Sequence, residues 1–345
     1  MAAQGGNESV TAGRTVAIQF VRAAMSTAAA RGIDIRGALS SARITTEMLG
    51  HDRVRVTRAQ AIQVVTALWK QTDDELAGLG PRPVPRGVFQ MITLGLIHAP
   101  DLHTALTRFT EFATLTTGMR SELIVSGRRA QVVINSGSDV ALDPLVVDVG
   151  VAVIHRLASW LIRKQIRLTS VDLPFPAPPY AAEYRLIYGA VPTFDAECAA
   201  FSFDSMFLAV PVVRTEPELS AFLRTAPADL LFRTRYDVTT ADRVRNILER
   251  TDSADWPDTE DVAKRLSVSA QHVRRLLREE GTSFRVIQED ILRDRAIDSL
   301  VRGEETIEEL SERLGYSEPS AFRRAFRRWT GIAPGSYQTG SPPTA

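Results

Sequence analysis

The chain has a single cysteine, Cys198, in 345 residues. No intrachain disulfide can form, and a zinc site built on several cysteines is excluded. Nothing therefore points to an oxidising compartment. Histidine is almost as scarce, with only His51, His98, His103, His155 and His272. His98 and His103 are five apart, whereas two imidazoles on one metal-binding helix face need a spacing of four. His155 lies in an apolar segment and reads as a core residue. The signatures of catalysis are missing too: there is no G-x-S-x-G elbow, no phosphate-binding Walker loop, no G-x-G-x-x-G and no H-E-x-x-H. No catalytic residue, metal or cofactor is expected, and the sequence reads as non-enzymatic.

Charge of one sign is lacking as well. Lysine and arginine number 41 and aspartate and glutamate 41, so the formal net charge is zero. From Thr240 onward, 17 basic residues face 19 acidic ones, a net of −2. Totals of this kind neither support nor exclude a nucleic-acid partner, so what matters is where the positive charges fall. Hydrophobic content of 44% and charged content of 24% are ordinary for a soluble protein. The most apolar run, Leu145 to Ile162, is interrupted by Asp148, His155 and Arg156, each costly in a bilayer. It reads as a buried helix, and no membrane partner is expected. The N-terminus shows no basic start followed by an apolar run, so no secretory leader is expected and the location is cytoplasmic.

The length suggests two or three domains. Residues 1–13 are small and polar and read as a disordered tail. Residues 14–225 read as an α+β domain. Its first part, from Thr15 to about Thr117, is mainly helical. Val16, Phe20, Val21 and Ala24 form one stripe, Ile62, Val65, Leu68 and Trp69 a second, and Leu102, Leu106, Phe109 and Phe112 a third. A hairpin follows, with Leu123 to Val125 and Gln131 to Ile134 joined through Gly127 and Arg128. A long helix runs from about Asp143 to Lys164, then a strand from Leu168 to Leu173. A short helix from Tyr180 to Tyr188 is closed by Gly189, and Phe194 and Phe201 to Phe203 mark further strands. Residues 226–240 read as a linker, 241–338 as an all-α domain and 339–345 as a tail.

The all-α segment carries a weak internal repeat. Leu266, Ser267, Val268 and Ser269 precede a helix with Val273, Arg274, Arg275, Leu276, Leu277 and Arg278, ended by Gly281. Forty-eight positions on, Leu314, Gly315, Tyr316 and Ser317 precede Phe322, Arg323, Arg324, Ala325, Phe326 and Arg327, ended by Gly331. A helix, a tight turn and a second helix, given twice, is a doubled helix-turn-helix. In the first unit Thr259 caps the leading helix, whose Val262, Ala263 and Leu266 face inward, and Ser269 caps the second. There Val273, Leu276 and Leu277 form the buried seam, opposite Gln271, Arg274, Arg275 and Arg278. In the second unit Thr306 and Glu309 form a capping box, with Ile307, Leu310 and Leu314 inward. Gly315 takes a positive φ at the turn, Ser317 caps the next helix and Pro319 sits in its first turn. Phe322, Ala325, Phe326 and Trp329 are buried opposite Ser320, Arg323, Arg324 and Arg327. A helix from about Phe284 to Leu300 joins the two units.

The chemistry of these outer faces suits double-stranded DNA. A helix fits the major groove, where arginine pairs bidentately with guanine and glutamine with adenine, while flanking arginines pair with phosphates. One exposed arginine face is ordinarily a solvated helix surface and decides nothing. Two matched faces, each behind a capped entry and a tight turn, do. Glu279 and Glu280 close the first reading helix and place negative charge beside Arg278.

The stretch LGYSEPSAFRRAFRRWTGIAPGSY, from Leu314 to Tyr337, resembles the signature of the AraC/XylS transcription regulators, and LSVSAQHVRRLLREEGTSF fits the first unit. GLIHAPDLHTALTRFTEFATLTTG and LPFPAPPYAAEYRLIYGAVPTFDAECAAFSFDSMFLAVPV are similar to the arabinose-binding-like effector domain of that family's VirS/OruR-type branch. The resemblance implies an α+β effector-sensing or dimerisation domain, followed by an all-α domain with two helix-turn-helix subdomains on a linker helix. It implies base contacts from Gln271, Arg274 and Arg275, then Ser320, Arg323 and Arg324. As partners it implies promoter DNA, a small-molecule effector, a second copy and RNA polymerase. No residue cluster marks the effector site. Two rival readings compete with this one. A DNA-repair alkyl acceptor joined to such a module needs a reactive thiolate, whereas Cys198 sits in DAECAAF, behind acids that raise its pKa. An adaptor that no longer reads DNA has no use for the arginine faces.

Overall fold

The structure is a computed structural model, and it describes residues 15–135, 142–231 and 239–338. In chain order the elements begin with β1 (Val16–Ala17), α1 (Ile18–Ala30), α2 (Ile35–Ser41), α3 (Thr46–Gly50), β2 (Arg55–Val56) and α4 (Arg58–Thr72). Next come α5 (Val88–Ile97), α6 (Leu102–Thr117), β3 (Arg120–Ser126), β4 (Arg129–Asn135), α7 (Pro144–Leu161) and β5 (Leu168–Asp172). Then follow α8 (Tyr184–Tyr188), β6 (Ala199–Asp204) and α9 (Glu216–Leu231). The last are α10 (Thr240–Glu249), α11 (Thr259–Arg265), α12 (Ala270–Glu279), α13 (Phe284–Arg302), α14 (Ile307–Arg313), α15 (Pro319–Thr330) and α16 (Gly335–Gln338). The expected fold class is observed: an α+β region followed by an all-α region.

By their contacts the described residues sort into two units, residues 19–44, 59–135 and 142–231 in one, and residues 15–18, 45–58 and 239–338 in the other. Segments 15–18 and 45–58, which the sequence places in the N-terminal domain, therefore pack with the C-terminal helices. Helix α9 continues to Leu231, so the first residues of the expected linker are helical, while 232–238 lie outside the described residues. The same holds for the expected tails, 1–13 and 339–345.

The larger unit is built on an antiparallel sheet in the order β3-β4-β6-β5. The β3–β4 hairpin turns at Gly127 and Arg128, as the sequence implies, with Gly127 at φ 56°. Alternation along the strands sends Ala130, Val132 and Ile134, with Ala199, Phe201 and Phe203, into one apolar core. Helix α7 meets them with Val147, Val151, Ile154, Leu157, Ala158 and Leu161 at helical spacing. Its length and composition would suit a membrane span, yet 61% of it is buried within the protein, so it serves as the core helix. The interrupting polar residues have their own partners: His155 Nε2 lies 2.8 Å from the Ile166 carbonyl, and Arg156 donates to the carbonyls of Leu230 and Ile187.

Asp148 is the unusual member of α7. It is buried, and its carboxylate accepts from the hydroxyls of Tyr184, at 2.6 Å, and Tyr188, at 3.3 Å. Phe20, Tyr180 and Phe194 surround Tyr184 in stacked or edge-on contacts. Burial raises the Asp148 pKa to about 7, against the lowering effect of the two phenols.

Local details depart from the periodic reading. The buried face of α4 is Ala61, Val64 and Leu68, while Ile62, Val65 and Trp69 are half-buried. Phe112 is exposed. Phe194 lies outside any strand, next to an isolated bridge between Thr193 and Asp172.

In the helical unit β1 and β2 form a two-residue ribbon that pairs Val16 with Val56 and Ala17 with Arg55. The sequence reading did not foresee it, because strands this short leave no periodicity. The ribbon's polar groups converge on Asp294 in the middle of α13. Thr15 Oγ1 donates to its carboxylate at 2.6 Å, the Arg245 guanidinium of α10 donates to it, and Arg293 lies 3.4 Å away. Arg55 in turn donates to the Thr15 hydroxyl at 2.7 Å and to its carbonyl at 2.9 Å. Tyr337 closes the group: its hydroxyl donates to the Arg55 carbonyl at 3.0 Å and accepts from the Arg55 amide at 3.3 Å. Full burial alone would raise the Asp294 pKa, but Arg293, Arg245 and Arg55, with the Thr15 hydroxyl, hold it down at about 2.

Two stability effects are expected. Asp294→Ala takes from the buried Arg245 guanidinium one of its two carboxylates, leaving Glu249 at 2.6 Å, and should cost the helical unit about 3 kcal/mol, read as an earlier urea unfolding transition of the full chain. Asp148 has the opposite pH signature to an ordinary carboxylate. Its folded form keeps the proton up to about pH 7, while the unfolded form releases it near 3.8. The protonated contribution is complete below pH 4 and is lost as pH rises through 7, at up to ~1.4 kcal/mol per pH unit. Asp148→Asn should remove that loss, so the melting temperature of the variant should gain on that of the unaltered chain as pH rises from 4 to 7.5.

Candidate nucleic-acid interface

Each of the two helix pairs is set by capping and by an apolar seam. In the first, Asp258 accepts from the Asp261 amide and starts α11, one residue before the expected Thr259. Ser267, at φ 57°, makes the turn. Ser269 then caps α12 through the His272 amide, as the sequence implies. Val273 and Leu277 are buried against Val262, Ala263, Val244 and Ile287, with Leu276 half-buried.

In the second pair the Thr306–Glu309 capping box is present, and Gly315, at φ 84°, occupies the turn position equivalent to Ser267. A left-handed residue is needed at that point in both turns, and only the second supplies glycine. Helix α15 begins at Pro319, with Glu318 rather than Ser317 at the cap. The reason is steric: the residue before a proline is held in extended backbone, and Glu318 shows φ −139°, ψ 133°. Phe322, Ala325 and Phe326 are buried, while Trp329 is half-buried and packs edge-on against Phe326. Tyr337 closes the other side of Phe326, with ring centroids 5.3 Å apart.

Opposite these seams, Gln271, Arg274, Arg275 and Arg278 are all exposed on α12, and Ser320, Arg323, Arg324 and Arg327 are all exposed on α15. Their electrostatic settings differ. Arg274 reaches Glu260 of α11 at 2.7 Å, and Arg323 reaches Glu308 of α14 at 2.6 Å. Arg275 is tied along its own helix to Glu279 at 2.6 Å, and to His272 Nδ1 at 3.2 Å. Ser320 donates to Glu318 at 3.1 Å. Among the described residues, Arg278, Arg324 and Arg327 have no carboxylate partner.

Glu280 does not add charge to this surface as the sequence suggested. It turns back and accepts from the amides of Thr240 and Ala241, both at 2.8 Å, capping α10 from outside. The carboxylates of Glu260 and Glu308 were not singled out in the sequence, although each is the second residue of its helix and they stand 48 positions apart.

The described residues contain no group of three or more histidine, cysteine or acidic side chains able to hold a metal. Cys198 is half-buried, and burial, then Glu197 and Asp172, push its thiol pKa up, away from a reactive thiolate.

Residues 32–212 match the family model described as the arabinose-binding domain of AraC transcription regulators, N-terminal, and residues 262–340 match a helix-turn-helix domain. The chain belongs to the AraC family of transcription regulators. Among curated AraC-family relatives, the ornithine utilization regulator of Pseudomonas aeruginosa is 27% identical over 187 residues, 54% of this chain and 55% of that one. The regulator VirS of Mycobacterium tuberculosis is 26% identical over 160 residues, 46% of each chain. A crystal structure of the regulator CdpR from Pseudomonas aeruginosa aligns over 92% of this chain and 97% of that one, at 20% identity and a TM-score of 0.28. The chain spans about half the length of the curated relatives it matches. These relatives are transcription regulators.

The free guanidinium of Arg327 suits a phosphate. Arg327→Ala is expected to weaken binding about equally for every DNA sequence and to lower the salt slope of log affinity by about one, measured by titration across a series of salt concentrations.

Proposed function

We propose that this AraC-family protein reads operator DNA with two helix-turn-helix heads, under the control of a small molecule bound in its N-terminal domain. In this reading Gln271, Arg274 and Arg275 of the first head, and Ser320, Arg323 and Arg324 of the second, address base edges, while Arg278 and Arg327 address phosphates. The single observation that carries it is the duplication. Two helices of different sequence present arginines at matching positions, each behind a capped leading helix and a left-handed turn. An arginine face of no consequence has no reason to recur with its whole scaffold.

The proposed division is an effector and dimerisation domain over residues 14–225, a linker over 226–240 and a DNA-binding domain over 241–338. The helical unit's use of residues 15–18 and 45–58 adds to this division a part contributed by the N-terminal region. The protein acts in the cytoplasm by binding and not by catalysis, with operator DNA, the effector, a second copy and RNA polymerase as its partners. The family description of residues 32–212 as an arabinose-binding domain supports a small-molecule effector without naming it.

The test is a binding selection from genomic fragments with the full-length protein at near-physiological salt. Enrichment of one motif, with half-sites about one helical turn (~34 Å) apart, is the expected result. Arg275→Ala and Arg324→Ala should then each relax the preference at one base position, by about 1–3 kcal/mol. Uniform, salt-sensitive retention of all fragments with and without candidate effectors would overturn sequence-specific reading.

A further inference from the structure

The two cross-helix ion pairs occupy equivalent places in the two heads. Glu260 and Glu308 are each the second residue of the leading helix, and Arg274 and Arg323 are each the fifth residue of the reading helix. The chain separations are 14 and 15 residues, because the second turn is one residue longer. The pairing thus recurs although the two turns differ in length by one residue. In both pairs one guanidinium nitrogen meets one carboxylate oxygen. The remaining donors of each guanidinium are left for another acceptor.

Exposed pairs of this kind contribute little to folding, and all four side chains here are about half exposed. Their recurrence calls for a different account. An arginine that reads a base must give up a large rotamer freedom when it does so. A carboxylate on the neighbouring helix that already restrains the guanidinium reduces the entropy lost on binding. It also counters the tendency of a free arginine to turn towards the nearest phosphate, a contact that carries no sequence information. Arg324, at the position after Arg323, has no carboxylate partner among the described residues, and its counterpart Arg275 is held only along its own helix, by Glu279, so a restraint from the leading helix is particular to one arginine in each head.

We propose that Glu260 and Glu308 are positioning residues that aim Arg274 and Arg323 at one base each, raising sequence preference while lowering affinity for DNA at large. The proposal rests on the reading of α12 and α15 as DNA-reading helices.

The test compares the full-length protein with Glu260→Ala, Glu308→Ala, their glutamine counterparts, and Arg274→Ala and Arg323→Ala. Base preference is read by binding selection, affinity by titration with random-sequence DNA, and folding by thermal melting. Glu260→Ala should flatten the preference about fivefold, the low end of one base contact, at the position that Arg274→Ala flattens. Glu308→Ala should do the same at the position of Arg323, and each should leave the other half-site unchanged. Affinity for random-sequence DNA should rise about two- to threefold as a negative charge leaves the surface. Melting should not move, and the glutamine variants, which keep an oxygen acceptor in place, should retain much of the preference. Unchanged base preference in both alanine variants overturns the proposal and leaves DNA reading intact. A change at a position other than that of the paired arginine also overturns it, and makes the glutamate itself a base reader. If the unaltered protein selects no motif and the arginine variants bind as it does, the DNA-reading assignment fails and the proposal falls with it.

Discussion

A carboxylate sealed inside a protein is tolerable only if enough positive charge is sealed in with it. Asp294 meets that condition with guanidinium groups from α10, α13 and β2 and with the hydroxyl of Thr15. Because its partners come from three separate stretches of chain, the charge balance fixes their placement more strictly than apolar packing would. Helix α10 is held to α13 through Arg245, and the β1–β2 ribbon through Thr15 and Arg55. Tyr337, bracketing the Arg55 backbone and packing on Phe326, links the same ribbon to the seam of α15. The scaffold that presents α12 and α15 is therefore organised around one negative charge.

The two helix pairs are similar in construction and unequal in charge. Helix α12 carries three arginines and ends in Glu279, which engages Arg275. Helix α15 carries four arginines and no acid. The first turn uses Ser267 in a left-handed conformation that strains a residue with a side chain, and the second uses Gly315, which adopts it freely. The outer face of α15 is therefore the more positive of the two, and its turn the less strained.

Much of the helical unit was legible in advance because its punctuation is chemical. Ser269, the Thr306–Glu309 box and the closing glycines Gly281 and Gly331 state where helices begin and end. Where the sequence misled, a second constraint had intervened. Pro319 moved a cap from Ser317 to Glu318, and a remote helix end claimed Glu280, which looked like a surface charge. In the larger unit, periodicity found the helices but turned α4 by one residue, since Ile62 and Ala61 compete for the same face. Asp148 was legible only as a break in an apolar run. That two tyrosines from a distant short helix would meet it is a long-range fact that no local pattern carries. The β1–β2 ribbon was invisible because strands of two residues show no alternation.

The partnership of Arg55 with Tyr337 spans 282 residues of sequence, and that of Thr15 with Asp294 spans 279. A ribosome adding about 5–20 residues per second needs roughly 14–56 s to cover such a distance. Throughout that interval the early strands lack the surface they are shaped to fit. The larger unit, whose residues lie between them, can collapse first, and the helical unit is completed only when the last helices emerge. A growing chain consequently carries no finished helical unit until residues near Asp294 and Tyr337 have been made.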